Sequence, residues 1–488
     1  MAGSTLTEEL PRRKAGKQGR SEQQSPQRRT SQERRSPGRS ARRAAQRERL
    51  LAAITQLAIE GSIHDLTVSE VVARAGVSRP TFYEHFTDRE DCFLQALRPA
   101  GEELLAAVEA AGAGCQPEPA CEALVAALTD FARRRPGIAR LLMSDSLAGG
   151  RRALSARDRL TEQAAQVLER ALDGAGEGAA IPAISPRLLL GVTSRLLAAR
   201  LDRGEERLIG FDAELGVWLQ SYLLPAAQHG DLSRAAPPKR APTPLISTQL
   251  RPPPALSHVP GRVTDGALSE NQWLRIVFAT AAIVARDGYA AATVAEITRV
   301  AALDNRAFYR LFKCKEQALA DARELMFGHA MALTAGAFAT AESWPERVWE
   351  AARAFIDCVE QNPTLAYVSF VESHAGGPAA TARLPELIGA FTIFLLEGYR
   401  YAPAPSGSPG EPSPLALEAI VTAVFELCHL HSRRRDGEQG SQLDELAFIC
   451  LAPFLGAAET NAFLRSKRSE DARTLEASTT GRPPAAHR

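Results

Sequence analysis

Two stretches of this chain, Thr67 to Phe86 (TVSEVVARAGVSRPTFYEHF) and Thr293 to Phe312 (TVAEITRVAALDNRAFYRLF), carry one pattern of residues 226 positions apart, 293 − 67 = 226. In the first, Val68, Val71, Val72 and Ala75 fall at helical spacing behind Thr67, whose hydroxyl suits the free N–H groups of a first turn. Gly76 suits the positive φ that ends such a helix, Ser78 is a second N-cap, and Pro80 is tolerated in the turn that follows. Phe82, Tyr83 and Phe86 give the next helix an aromatic face. The spacing therefore predicts two short helices joined through Gly76, Val77 and Ser78, a helix-turn-helix.

The correspondence extends beyond that motif. Phe82 pairs with Phe308, Tyr83 with Tyr309 and Phe86 with Phe312 at an offset of 226. Pro136 pairs with Pro363 and Gly149-Gly150 with Gly376-Gly377 at 227, and Pro186 with Pro414 at 228. A period this long reports two domains of one kind and not a solenoid array. The second copy departs from the first at three positions: Ala302 stands for Gly76, Asp304 for Ser78 and Leu311 for His85. Asp304 remains a good N-cap, whereas Ala302 held at positive φ would cost roughly 1–2 kcal/mol.

The order Thr-Val, Ala-x-x-Gly-Val-Ser, Phe-Tyr-x-His-Phe, then an acidic residue with Arg89-Glu90, resembles the DNA-binding domain of the tetracycline-repressor-like (TetR) transcriptional regulators. The resemblance implies an all-α chain of two tandem units, each a three-helix helix-turn-helix domain followed by a helical regulatory domain. It implies double-stranded operator DNA and a small-molecule effector as partners, no metal or other cofactor, and repressor action as a pseudo-dimer within one chain or as a homodimer. Arg79 and Thr81, with Asn305 and Arg306 in the second copy, would reach base edges from the start of each recognition helix. Thr67, Tyr83, His85, Tyr309, Lys313 and Lys315 would hold phosphates, and Ser78, Pro80, Arg89 and Thr293 complete the DNA-facing set. The second copy either contacts DNA or serves as a scaffold. The rival class is a ligand-sensing or protein-interaction module in which one or both helix-turn-helix units bind no DNA.

Taken in order, residues 1–41 read as a disordered basic arm, with Arg12, Arg13, Lys14, Lys17, Arg20, Arg28, Arg29, Arg34, Arg35 and Arg39 among Ser, Gln, Pro and Gly. Such an arm either lies along DNA or is a solvated tail. A helix with Leu50, Leu51, Ile54, Leu57 and Ala58 on one face completes the first DNA-binding domain, 42–92. Residues 93–228 read as the first regulatory domain, ending in helices over roughly Pro186 to Asp202 and Phe211 to Leu224. In the resembled family the last two helices form the dimer interface. Residues 229–268 are a Pro-rich linker stiffened toward polyproline II, 269–316 the second DNA-binding domain, 317–464 the second regulatory domain and 465–488 a disordered tail.

Composition sets the remaining bounds. Of 488 residues 45% are hydrophobic, ample for packed cores, and a formal net charge of +1 says little when the basic residues cluster at one end. Cys92, Cys115, Cys121, Cys314, Cys358, Cys428 and Cys450 are an odd number without CxxC spacing, against a disulfide framework or zinc site. Cys428, His429 and His431 read as helix-face residues, since a structural metal wants four converging ligands. No apolar run is expected to span a membrane and no leader is evident, so the expectation is a cytoplasmic protein. Asp145 and Glu372 occupy matching positions, for which the resemblance suggests a structural or pocket-lining role. No P-loop, GxSxG elbow, HExxH or dinucleotide fingerprint is present, and an enzyme is not expected.

Overall fold

The computed structural model describes residues 38–480 apart from 62, 64–65, 114–116, 146–149, 174–178, 206, 226–246, 257–263, 402–413 and 434–441. Chain contacts divide the molecule into residues 1–45, of which 38–45 are exposed, and residues 46–488, which hold the core. The fold is all-α, with one two-stranded antiparallel ribbon as its minor exception. The nine N-terminal arginines and lysines from Arg12 to Arg35, Cys115 and Gly149 lie outside the described residues.

Helix α1 (Arg39–Glu60), α2 (Val68–Ala75) and α3 (Arg79–His85) form the first three-helix group. Leu50, Ile54, Ala58, Val71, Ala75, Phe82 and Phe86 are buried there together, with Leu51, Leu57, Val68 and Val72 packed around them. Burying one such large side chain contributes about 1.5–3 kcal/mol. Tyr83 departs from the expected aromatic face: it is 51% exposed and touches Phe82 only edge-on. Helix α1 also begins at Arg39, inside the segment expected to be disordered.

Helices α4 (Arg89–Gly112), α5 (Pro117–Arg134), α6 (Pro136–Arg140, continued by a π-turn over Leu141–Asp145), α7 (Arg151–Leu172), α8 (Pro186–Asp202) and α9 (Phe211–Gln220) complete the first half. The last helix is shorter than expected. Leu223–Pro225 forms strand β2, paired antiparallel with β1 (Ala180–Pro182) in the register Ile181 to Leu224.

Helices α10 (Asp265–Asp287), α11 (Val294–Val300), α12 (Asn305–Leu311) and α13 (Lys315–Phe338) open the second half. The starts of α11, α12 and α13 fall 226 residues after those of α2, α3 and α4 (294 − 68, 305 − 79 and 315 − 89). Then come α14 (Trp344–Gln361), α15 (Pro363–Ala366, with a π-turn over Tyr367–Val371), α16 (Gly377–Thr381), α17 (Leu384–Gly389) and two 3-10 segments, Ala390–Phe394 and Leu396–Arg400. The chain ends with α18 (Pro414–Arg433), α19 (Gln442–Leu455) and α20 (Ala457–Thr480). Helix α18 packs against α8 and α9, so one buried core runs through both halves. Tyr222 extends it, donating its hydroxyl to the Ile449 carbonyl at 2.9 Å.

Three expectations are corrected here. Residues 465–480, expected as a disordered tail, continue α20: Leu464 is buried, Lys467 pairs with Glu346 at 2.9 Å and Arg468 with Asp444 at 2.9 Å. The linker is not a free spacer over its described parts, 247–256 and 264–268. The Leu250 N–H donates to Asn362 Oδ1 at 2.7 Å, and the Asn271 amide donates to the Pro254 carbonyl at 2.9 Å. Helix α10 accordingly starts at Asp265, within the expected linker. Helix α18 does reach the length and mean hydropathy, 1.3, of a membrane span, but more than half of that stretch is buried within the protein.

Gly76 ends α2 at φ 61°, and Ala302 takes the matching position at φ 49°. A Cβ at Gly76 would meet only the Arg49 guanidinium, at 3.7 Å, so any penalty there comes from the backbone. Ala302→Gly should therefore raise the unfolding free energy by about 1 kcal/mol, and Gly76→Ala should lower it by about 1–2 kcal/mol. Denaturant titration of the two variants checks both signs.

Candidate nucleic-acid interface

The first helix-turn-helix is closed by local hydrogen bonds. Thr67 accepts from the Glu70 N–H at 3.3 Å, while Glu70 accepts from the Thr67 N–H at 2.7 Å, a reciprocal capping box. Those hydrogen bonds from Thr67 hold the Glu70 carboxyl below its usual range. Ser78 accepts from the Thr81 N–H at 3.3 Å, and Pro80 sits in the first turn of α3. The Gly76 turn thus presents Ser78, Arg79 and Pro80, all exposed, with Thr81 behind them. The Arg79 guanidinium makes no hydrogen bond or ion pair among the described residues. Tyr83 points outward from the same helix, and His85 is half-buried.

The second helix-turn-helix repeats this frame with different chemistry. Thr293 caps α11 by accepting from Glu296 N–H at 3.2 Å. Glu296 itself turns to Arg299, whose hydrogen bond lowers its carboxyl to about 2, so no reciprocal box closes. Asp304 caps α12 through Ala307 N–H at 2.7 Å. Asn305 is exposed, and its side-chain oxygen accepts from the Thr298 hydroxyl at 2.9 Å. Arg306 and Lys313 are exposed, and Tyr309 is 61% exposed.

Two of the expected DNA contacts are occupied inside the protein. Arg89 donates to the Leu66 carbonyl, and Lys315, 226 residues later, donates to the Ala292 carbonyl at 2.9 Å and the Tyr289 carbonyl at 3.2 Å. Leu66 and Ala292 are themselves 226 apart, 292 − 66 = 226. Burial lowers the Lys315 ammonium, which also lies 4.2 Å from the Tyr289 ring centre. Both cations are engaged by backbone carbonyls at the start of the following long helix.

A pair of adjacent arginines missed at the sequence level holds both helix-turn-helix groups. At the start of α7, Arg152 grips Asp88 at 2.6 Å and Glu90 at 2.9 Å, beside the first group. Arg151 turns the other way and donates to the carbonyls of Val284, Ala285 and Arg286 at 3.3, 2.9 and 3.1 Å, the C-terminal end of α10. It also lies 3.5 Å from Glu372, which is buried. In the first half the corresponding carbonyls of Ala58 and Ile59 are held by Arg140 of the same half, at 3.3 and 2.7 Å. Two cations side by side in sequence gave no signal that they diverge in space.

Elsewhere, His429 is buried with Nδ1 2.9 Å from the Phe370 carbonyl, and burial pushes the Cys428 thiol up. His431 meets Gln442, so the two histidines of that local cluster have separate partners. The six described cysteines are free thiols.

The first three helices thus form a capped helix-turn-helix with Arg79 exposed at the start of its second helix. Residues 50–96, from the buried face of α1 into α4, match the family model of bacterial regulatory proteins, tetR family. That match, over 47 of the 488 residues, supports a TetR-type DNA-binding domain in the first three-helix group and, at that coarse level, a DNA-binding transcriptional regulator. No curated protein matches the chain.

Lys315→Met should lower the melting temperature while leaving the salt dependence of any DNA retention unchanged. A slope of log K against log salt reduced by about one would put Lys315 back on a phosphate.

Proposed function

We propose that the chain is a ligand-responsive repressor in which two tandem TetR-like units form a pseudo-dimer on one operator. The observation that carries this reading is the packing of α8 on α18 within one chain, since the resembled family dimerises through the corresponding helices. The matching starts of α2 to α4 and α11 to α13 support a second unit of the same kind.

On this reading the first unit supplies the stronger half-site. Arg79 reads a guanine edge from the start of α3, Thr81 lies beside it, and Thr67, Ser78, Pro80, Tyr83 and His85 line the backbone-facing rim. The second unit contributes Asn305 and Arg306, with Thr293, Tyr309 and Lys313 toward phosphates. Its grip is weakened by the strained Ala302 and by the carboxylate of Asp304 near DNA. Those same features favour the alternative, a second helix-turn-helix that acts as a scaffold. The site of action is cytoplasmic.

The effector in this reading is an apolar small molecule. It enters a cavity of about 70 Å³ in the second half, walled by Phe355, Phe370, Phe391, Val421, Phe425 and Cys450. Phe425 also lies under the Arg195 guanidinium of the first half, 4.9 Å from its ring centre. Filling the cavity would thus press on a contact between the halves and shift the two reading helices relative to each other.

A gel shift of the purified chain on the promoters of its own and neighbouring genes should show salt-sensitive retention; no retention at any of them contradicts the regulator reading. Arg79→Ala should cost about 1–3 kcal/mol and relax preference at one base position. A uniform loss on all sequences would make Arg79 a phosphate contact instead.

A further inference from the structure

The contact between α8 and α18 is chemically one-sided. From α8 the first half contributes arginines and from α18 the second half contributes carboxylates, while beside them Asp158 of α7 runs the other way, 2.8 Å from Arg433 and 3.6 Å from His429 of α18. Glu426 of α18, fully buried, accepts from Arg195 of α8 and lies 3.4 Å from Arg157 of α7. At the rim Glu418 of α18 lies 3.2 Å from Arg200 and 3.4 Å from Arg203. Burial alone would raise the Glu426 carboxyl, yet the charges of Arg195 and Arg157 hold it well below the usual range.

Shape is one-sided too. Glu426 lies against Gly191 of α8, where an added Cβ would stand 2.6 Å from Oε1 and 2.8 Å from Cγ. Only a residue without a side chain leaves that space for the carboxylate.

The register between the two helices, 414 − 186 = 228, shows what each half would meet in a copy of itself. The counterpart of Glu426 is Ala198 (426 − 228), and that of Glu418 is Leu190 (418 − 228). Two first halves paired through this face would leave Arg195 opposite alanine, with no carboxylate in the place of Glu426; the Asp158 carboxylate of α7 already pairs with Arg157 at 3.3 Å. The counterpart of Arg195 is Ala423 (195 + 228), and that of Gly191 is Ala419 (191 + 228). Two second halves would bury two carboxylates without the arginines of α7 and α8 and set each against a methyl group. Stripping one partner from a buried ion pair is strongly unfavourable, because the remaining charge stays desolvated. Like pairing is therefore penalised on both sides.

We infer that this face is an interface coded for unlike halves: its partner is a surface of the other kind, basic α8 against acidic α18, and never a second copy of itself. The inference rests on the pseudo-dimer reading for its biological setting and on the α8 and α18 side chains for its chemistry.

The test uses the full chain with a protease site placed within residues 229–246. After cleavage, native mass spectrometry should find the two fragments only as a 1:1 unlike pair. Nicked protein that has been unfolded and refolded as a mixture should return to that same pair. Like pairs of either fragment would overturn the inference. A second variant, Glu418→Ala at the rim, should weaken the nicked pair at least about tenfold without unfolding the intact chain; unchanged affinity would show that the charges do not select the partner. Sedimentation of the intact chain separates this from the underlying reading. A stable homodimer at micromolar concentration would defeat the pseudo-dimer, whatever pair the fragments form.

Discussion

The carboxylate of Glu426, held between Arg195 and Arg157 in the dry centre of the molecule, is the contact on which the rest of the structure depends. An isolated carboxylate there would be too costly to keep ionised, so α7, α8 and α18 are constrained to bring their charges together. The arrangement fixes the position of α7 against the second half. Its first turn then carries Arg151 into the end of α10 and Arg152 onto Asp88 and Glu90. Both helix-turn-helix groups are thereby fastened to one helix end. A shift of α7 would move both, which is the mechanical basis for the proposed effector response.

The two helix-turn-helix groups share a frame and differ in quality. Gly76 adopts its left-handed turn without penalty, and Thr67 with Glu70 closes a complete cap. Ala302 holds the same turn under strain, and Glu296 is drawn away to Arg299 and Arg286. The second group compensates with interior contacts, among them Lys315 on the Ala292 carbonyl and Trp273 on Asp321 at 2.7 Å. Trp273 and Asp321 stand 226 residues after Arg47 and Gln95, which also bond to each other. The same position in the frame is thus secured by different chemistry in the two halves.

What the sequence made legible was local. Thr67, Gly76, Ser78, Thr293 and Asp304 act through neighbours three to five positions away, so their residue types suffice to place the turn and both caps. Long-range pairing left no comparable trace. Lys315 read as a phosphate ligand and Arg89 as part of the DNA-facing set because basic residues near a recognition helix look alike until the direction of the side chain is known. Residues 465–480 read as a tail because their polar composition gave no sign of the ion pairs of Lys467 and Arg468 with Glu346 and Asp444. The linker's prolines suggested a spacer, although the segment around Leu250 is tied to Asn362 by a bond between residues 112 positions apart. The opposed charges of α8 and α18 lie on separate helices whose individual periodicity says only that each is partly apolar.

The central claim is that one chain presents two unlike reading heads as a single unit, and selection from random-sequence duplex DNA tests it most directly. The account predicts one recovered motif with two different halves, about one helical turn apart, the first richer in information than the second. A perfect palindrome would mean that two first units pair between chains, and a lone half-site would mean that the second unit does not read DNA; either result contradicts the account.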